Sequence, residues 1–344
     1  MKVYHFALLF LIFFLGSVIK TDVSIGKLKS IENEKENITI SLSSATSDAV
    51  GYLAKTGNYG TGSINKEEVL DTFFTSLYSS MGIVSDMAAQ AELRLYIPVI
   101  LLCDVDGYYV YYYDEYKAVD GNTYIEPMWT EKIPYIYEDD LFVYRFTLSD
   151  MVYIYDKNNL LGIEDSVVES GYKEFQKNPI YADFRANNSS CILLNDENYG
   201  LIRKTAIMNK LEEVMAYYTS RHNFIASRQG ITYSFSFPSG KQEEWAEYIE
   251  DVNIVVVFQG YPYGPDRNYT YNKIASSGAN IIKKFKYYVE EKSWYLLAHR
   301  QGCEKLKNND MVLEETFDSI EECVRLGAYC CECIENGARV PELK

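Results

Sequence analysis

Apolar residues recur at steps of three and four, or of two, along most of this chain, but its first twenty residues follow neither rule. Residues 3–19 form an apolar run, interrupted chiefly by His5 and bounded by Lys2 and Lys20. Such a run reads as an export signal or a short membrane anchor. The sequence Leu15-Gly16-Ser17 lacks a clean small-x-small pattern before a cut, which favours the anchor, and about 17 residues is near the lower limit for crossing a bilayer. Residues 21–62 begin polar and charged, as a stalk. Leu42, Ala45, Ala49, Tyr52 and Leu53 then recur at helical spacing up to a glycine-rich stretch at 57–62.

Residues 63–285 read as one α+β domain. Asn65 before Lys66-Glu67-Glu68 is a helix start, and Val69, Phe73, Leu77, Phe74, Tyr78 and Met81 form its apolar stripe. A second short helix spans 86–96. The period then changes to that of strands. Residues 97–103 and 108–113 flank Asp104-Val105-Asp106-Gly107, a hairpin signal, and 141–147 with 151–155 repeat it, which predicts an antiparallel, tyrosine-rich sheet in mid-chain. Residues 162–200 look irregular. From 201 to 227, Ile207, Leu211, Val214, Tyr218, His222 and Ile225 fall on one stripe, predicting a long helix across the sheet. Strands are expected at 231–237 and 253–258, separated by a helical turn around Trp245.

Composition narrows the function. The 344 residues carry a formal net charge of -16, against a nucleic-acid partner, since phosphate recognition needs a basic face. Lys283, Lys284 and Lys286 are a local exception that reads as a solvated edge. Among 32 tyrosines most suit half-wet sheet faces, with the ring packed and the hydroxyl in water.

Catalytic signals are sparse. Asp104-x-Asp106-Gly107 has the start of a calcium loop but runs on as a strand where later ligands would fall. Glu138-Asp139-Asp140 could supply the carboxylate pair of a glycoside hydrolase, though three adjacent acids at a hairpin mouth also make a solvated turn. Hydrolases of the serine or cysteine kind need a histidine base, and beyond His5 there are only His222, on the helical stripe, and His299. Gln259-Gly260-Tyr261-Pro262-Tyr263-Gly264-Pro265 is a punctuated loop expected to cover a sheet edge or line a groove. No catalytic set emerges, so a non-enzymatic protein is expected.

Five of the seven cysteines fall between 303 and 333, while Cys103 and Cys191 stand alone on apolar segments as buried thiols. Trp294 to Ala298 should be a strand delivering His299, with Cys303 four residues on. A helix capped by Asp318 or Ser319 follows and ends at Gly327, with Cys323 packed inside it, and Cys330-Cys331-Glu332-Cys333 comes next. Residues 294–334 resemble the small His-x3-Cys, helix, Gly-aromatic-x-Cys-x2-Cys metal-binding module of Ada-type DNA-repair regulators, which is also appended to exported bacterial proteins. The resemblance implies zinc on His299, Cys303, Cys330 and Cys333, a closed and structural set. Counting from Gly327 instead selects Cys331, so a slipped pairing stays open, as does a disulfide arrangement. The module is expected over 286–336, with a tail at 337–344.

The whole plan of anchor, tyrosine-rich α/β body and cysteine clip is similar to Gram-positive cell-surface proteins that accompany pilus or secretion machinery. That resemblance implies an extracytoplasmic protein, membrane-anchored or secreted, acting as a scaffold for protein partners. A surface carbohydrate-binding or glycoside-processing role for Glu138, Asp139 or Asp140 is the alternative.

Overall fold

The computed structural model describes residues 3–56, 64–157, 166–194, 199–228, 251–279, 287–292, 294–300, 303, 312–317, 320–331 and 333–334, with backbone alone at 3–9, 11–13, 16, 300, 312–316 and 320–322. The chain divides into two compact units, Met1–Ala279 and Asn280–Lys344. Several expectations lie outside the described residues: the glycine-rich stretch at 57–62, the strand at 231–237, the turn around Trp245, the lysines at 283, 284 and 286, the caps Asp318 and Ser319, and the tail.

The first unit opens with a single helix, α1 (Val3–Thr56). The polar stalk expected at 21–37 is therefore part of that helix, because a run without proline and with only two glycines through residue 50 gives the backbone no reason to stop. Described side chains from Phe10 to Asn37 are exposed except Ile31, whereas Ile38, Leu42, Ala45, Ala49 and Leu53 are buried. This second stretch packs on the next helix and on two strands of the main sheet described below. Among the described residues no helix is long and apolar enough to cross a membrane.

Helix α2 (Lys66–Ser80) starts as expected, with Asn65 Oδ1 accepting the Glu68 N–H at 3.4 Å and Glu67 and Glu68 in the first turn. Asp86 caps α3 (Met87–Leu95) in the same way, accepting from Ala89 N–H at 2.9 Å. Three strands follow: β1 (Val99–Asp104), β2 (Gly107–Lys117) and β3 (Thr123–Trp129). Later come β4 (Tyr135–Glu138), β5 (Phe142–Phe146), β6 (Met151–Asp156) and β7 (Val168–Gly171). The stretch expected to be irregular thus holds β7, α4 (Tyr172–Lys177) and α5 (Ala182–Asn187), elements too short to show a period. Helix α6 (Tyr199–Arg228) is the long helix expected, and β8 (Asn253–Tyr263) and β9 (Tyr269–Gly278) close the unit.

One antiparallel sheet was the expectation, and the structure has two in this unit. The first has the order β3-β2-β1-β8-β9, and the second is the meander β4-β5-β6-β7. They separate because β3 occupies the free edge of β2, so the β5–β6 hairpin pairs with β4 and β7. Helix α1 packs on α2, β8 and β9, while α6 lies on β4, β2 and β1. The Gln259–Pro265 loop is also corrected: most of it belongs to β8, with a register shift between Phe258 and Tyr261 and the turn itself at 264–268. Gly264 takes φ 81°, and a Cβ there would come within 2.7 Å of the Tyr269 ring.

The Asp104–Gly107 turn joins the two sheets. Lys132 Nζ lies 2.6 Å from Asp104 Oδ2 and also contacts Asp106, whose other oxygen accepts from Arg145 at 3.2 Å. Side-chain cations thus fill the place a calcium ion would need. Tyr135 Oη donates to the Asp104 carbonyl at 3.1 Å, and Leu148 N–H to that of Val105 at 2.7 Å. Gly107 is required by close approach: a Cβ would sit 2.6 Å from the Ile133 carbonyl oxygen, which accepts from Tyr108 N–H.

His222 sits in the core of this unit, 6% exposed, with Nε2–H donating to the Leu95 carbonyl at 3.0 Å and its ring edge-on to Tyr113. Burial pushes its pKa down to about 4 from the ordinary 6.5. Between those values the unfolded chain binds a proton that the folded chain refuses. Stability from this group is therefore complete above pH 6.5 and is lost as pH falls towards 4, by roughly 3 kcal/mol in all. Denaturant titrations of wild type and His222→Gln at pH 7 and pH 4.5 test this. The variant is expected to lose distinctly less stability across the interval; equal slopes would refute the assignment.

Candidate metal centre

The second unit carries a mixed sheet of order β12-β10-β11-β13, made of β10 (Tyr287–Glu291), β11 (Leu296–Arg300), β12 (Val312–Phe317) and β13 (Ala328–Cys330), with helix α7 (Ile320–Arg325) before β13. The strand expected to deliver His299 is β11, which pairs antiparallel with β10 and parallel with β13. Gly327, at φ 85°, makes the reversal between α7 and β13 that a Cβ-bearing residue would resist.

Strand alternation sorts the side chains into two clusters. Val289, Ala298, Cys323 and Ala328 form one apolar cluster, which places Cys323 in the core as expected. Leu297, Cys303 and Cys331 form the other, with Tyr295, Tyr329 and Cys333 packed against it. His299 follows Ala298 and shares the alternation of Leu297, so it faces the second cluster.

There His299, Cys303, Cys331 and Cys333 bring one imidazole nitrogen and three sulfurs within 4.8 Å of one another, a group that could hold a metal ion. Nδ1 of His299 is 3.4 Å from Cys303 Sγ. Neighbouring donors around a tetrahedral zinc are separated by about 3.5–3.8 Å, so the residues present fit such an ion with small adjustments. His299, Cys303 and Cys331 are buried, and Cys333 is half-buried.

The expected ligand set is corrected at one position. Cys330 pairs with Ala298 across the parallel ladder, and adjacent residues of a strand point to opposite faces, so Cys330 is directed away from the His299 side. Cys331 continues the ladder by one step, its N–H donating to the Ala298 carbonyl at 2.9 Å, and falls beside His299. A turn closed by the Ile334 N–H on the Cys331 carbonyl, at 3.0 Å, keeps Cys333 in the same cluster. Counted from Gly327, it is therefore Cys331, the residue of the slipped pairing, that lies in the cluster. Glu290 is the site residue that the sequence reasoning missed: its carboxylate lies 3.0 Å from His299 Nε2. It has no local signal in the sequence, since Glu290 and Glu291 end β10 as an ordinary acidic pair and only the register with β11 sets Glu290 beside the ring.

None of the seven cysteines forms a disulfide. Cys103 and Cys191 are both buried, and desolvation raises the thiol of Cys103 to about 12, which makes it inert at neutral pH. Of the acids at 138–140, Glu138 ends β4 while Asp139 and Asp140 lie in the turn to β5. Asp139 accepts from the N–H groups of Leu141 and Phe142 and from Tyr144 Oη, and Glu138 pairs with Lys157 at 3.2 Å. No protein-family model matches this chain, and no curated protein or solved structure matches it.

Proposed function

We propose that this chain is a non-enzymatic scaffold, tethered to a bacterial membrane by its first helical turns and working outside the cytoplasm at a surface or secretion apparatus, with a structural zinc ion locking its C-terminal unit. The observation that carries the reading is the donor set. Three thiolates and one imidazole suit a borderline-soft ion such as zinc, and four protein ligands leave no position for a reactive water. Burial of three of the four supports a shape-holding role.

The tether reading rests on the apolar run at 3–19 and on its continuity with α1, which carries it without a break into the packed body. The other chemically able groups have structural partners: His222 holds a backbone carbonyl, and Asp139 holds a turn. The acidic balance of the chain adds no basic face for nucleic acid.

Fractionation of a bacterial host expressing the full chain tests the reading. The chain is expected in carbonate-resistant membranes, with its C-terminal unit digested by protease added to intact protoplasts. Recovery in the soluble cytosolic fraction, or protection of that unit, would count against it. A glycan-binding or hydrolysis signal abolished by Asp139→Asn would replace it with a carbohydrate role.

A further inference from the structure

The two ring nitrogens of His299 meet different chemistry. Nδ1 points into the sulfur cluster, towards Cys303 at 3.4 Å, while Nε2 is 3.0 Å from Oε2 of Glu290. Both residues are shut from solvent, His299 at 0% exposure and Glu290 at 1%. Strand register sets this meeting. Tyr288 lies opposite His299 on the β10–β11 pair, so Glu290, two residues on, shares that face and is diagonal to the ring. The second carboxylate oxygen, Oε1, accepts from Lys292 Nζ at 2.6 Å.

A carboxylate is costly in a dry core unless its oxygens are matched by charge or by donors. Here one oxygen is matched by an ammonium and the other by an imidazole. A neutral imidazole has a single N–H, and the nitrogen that carries it cannot bind a metal. We propose that Glu290 is a positioning residue for the metal: by accepting the Nε2–H it commits Nδ1 of His299 to the ion, and Lys292 holds the carboxylate in place. The assignment rests on the metal reading given above. It also has a charge rationale. Three thiolates around a dication leave one net negative charge, Glu290 adds a second, and the ammonium of Lys292 offsets one of them.

The test is a competition titration of the reduced, metal-free full chain with zinc(II) against a chromophoric chelator, for wild type, Glu290→Gln and Lys292→Met. Glutamine preserves the size and an acceptor oxygen but removes the charge, so Glu290→Gln is expected to bind zinc 10- to 100-fold more weakly. Lys292→Met is expected to show a smaller loss in the same direction. In parallel, 15N NMR of the zinc-loaded wild type is expected to show His299 bound through Nδ1 and protonated at Nε2, a signature that a merely structural ion pair would not produce. If Glu290→Gln binds zinc within twofold of wild type, or if the ring coordinates through Nε2, the positioning role is overturned and the metal reading survives. If the wild type binds no zinc, both fall. Should the glutamine variant not fold, the ring spectrum of the wild type decides alone.

Discussion

Cys331→Ser is expected to strip the C-terminal unit of its metal and unfold it, whereas Cys330→Ser is expected to leave both the ion and the fold in place. The two residues are neighbours of identical chemistry, and only strand alternation separates them. Cys331 lies on the His299 side of β11, and Cys330 pairs with Ala298 on the other. A small unit of this kind has little core of its own. Its described buried clusters comprise Val289, Ala298, Cys323 and Ala328 on one side and Leu297, Cys303 and Cys331 on the other. Binding free energies of structural zinc sites are about 10–16 kcal/mol at neutral pH, large enough to decide whether such a unit is folded at all. Elemental analysis of reduced protein is expected to give one zinc per chain for wild type and Cys330→Ser, and close to none for Cys331→Ser or Cys303→Ser. Limited proteolysis is expected to cut within the C-terminal unit of the zinc-free variants only. Full zinc in Cys331→Ser, or loss of it in Cys330→Ser, would reverse the ligand assignment.

Lys132→Met is expected to destabilise the first unit by about 3–5 kcal/mol. Asp104 is wholly buried, and Lys132 Nζ lies 2.6 Å from its Oδ2, while Oδ1 accepts the Val105 N–H at 2.7 Å. Methionine keeps the length and the apolar stem of lysine, so packing changes little while the buried carboxylate loses its counter-charge. The same turn bonds to Tyr135 and Leu148, so the damage should reach both sheets. Adding Asp104→Asn to Lys132→Met is expected to restore part of the loss, because an amide needs no counter-ion. Denaturant midpoints for the four proteins of this cycle measure the coupling. An unchanged midpoint in Lys132→Met would mean that water already screens the pair.

Elements that carry their own signal were legible in the chain. The cap and stripe of α2, the hairpin at Asp104–Gly107, the length of α6 and the cysteine helix followed by Gly327 all depend on local periods and turn chemistry. What escaped was set by partners distant in sequence. The split into two sheets depends on β3 taking the edge of β2, and β3 itself alternates weakly, with a proline at Pro127. Which cysteine joins the cluster depends on the parallel pairing of β11 with β13, since one step of register exchanges Cys330 for Cys331. Glu290 shows no motif and is recognised only when β10 is laid beside β11. The acids at 104 and 106, whose spacing begins like a calcium loop but runs on as a strand, share Lys132, a residue 28 positions beyond Asp104 whose role no local pattern announces.

The unbroken path of α1 couples the heading of the packed body to the phase of its first turns. Over the exposed turns before Ile38, each added residue advances the helix by about 1.5 Å and turns everything beyond it by about 100°. One alanine inserted between Lys27 and Glu32 would swing the body about a quarter-turn relative to whatever grips the first turns, while seven would lift it by about 10 Å and nearly restore its heading. If a partner reads the bearing of the body, binding of that partner should vanish with one inserted residue and return with seven. If it reads only reach, the two insertions should rank by length alone.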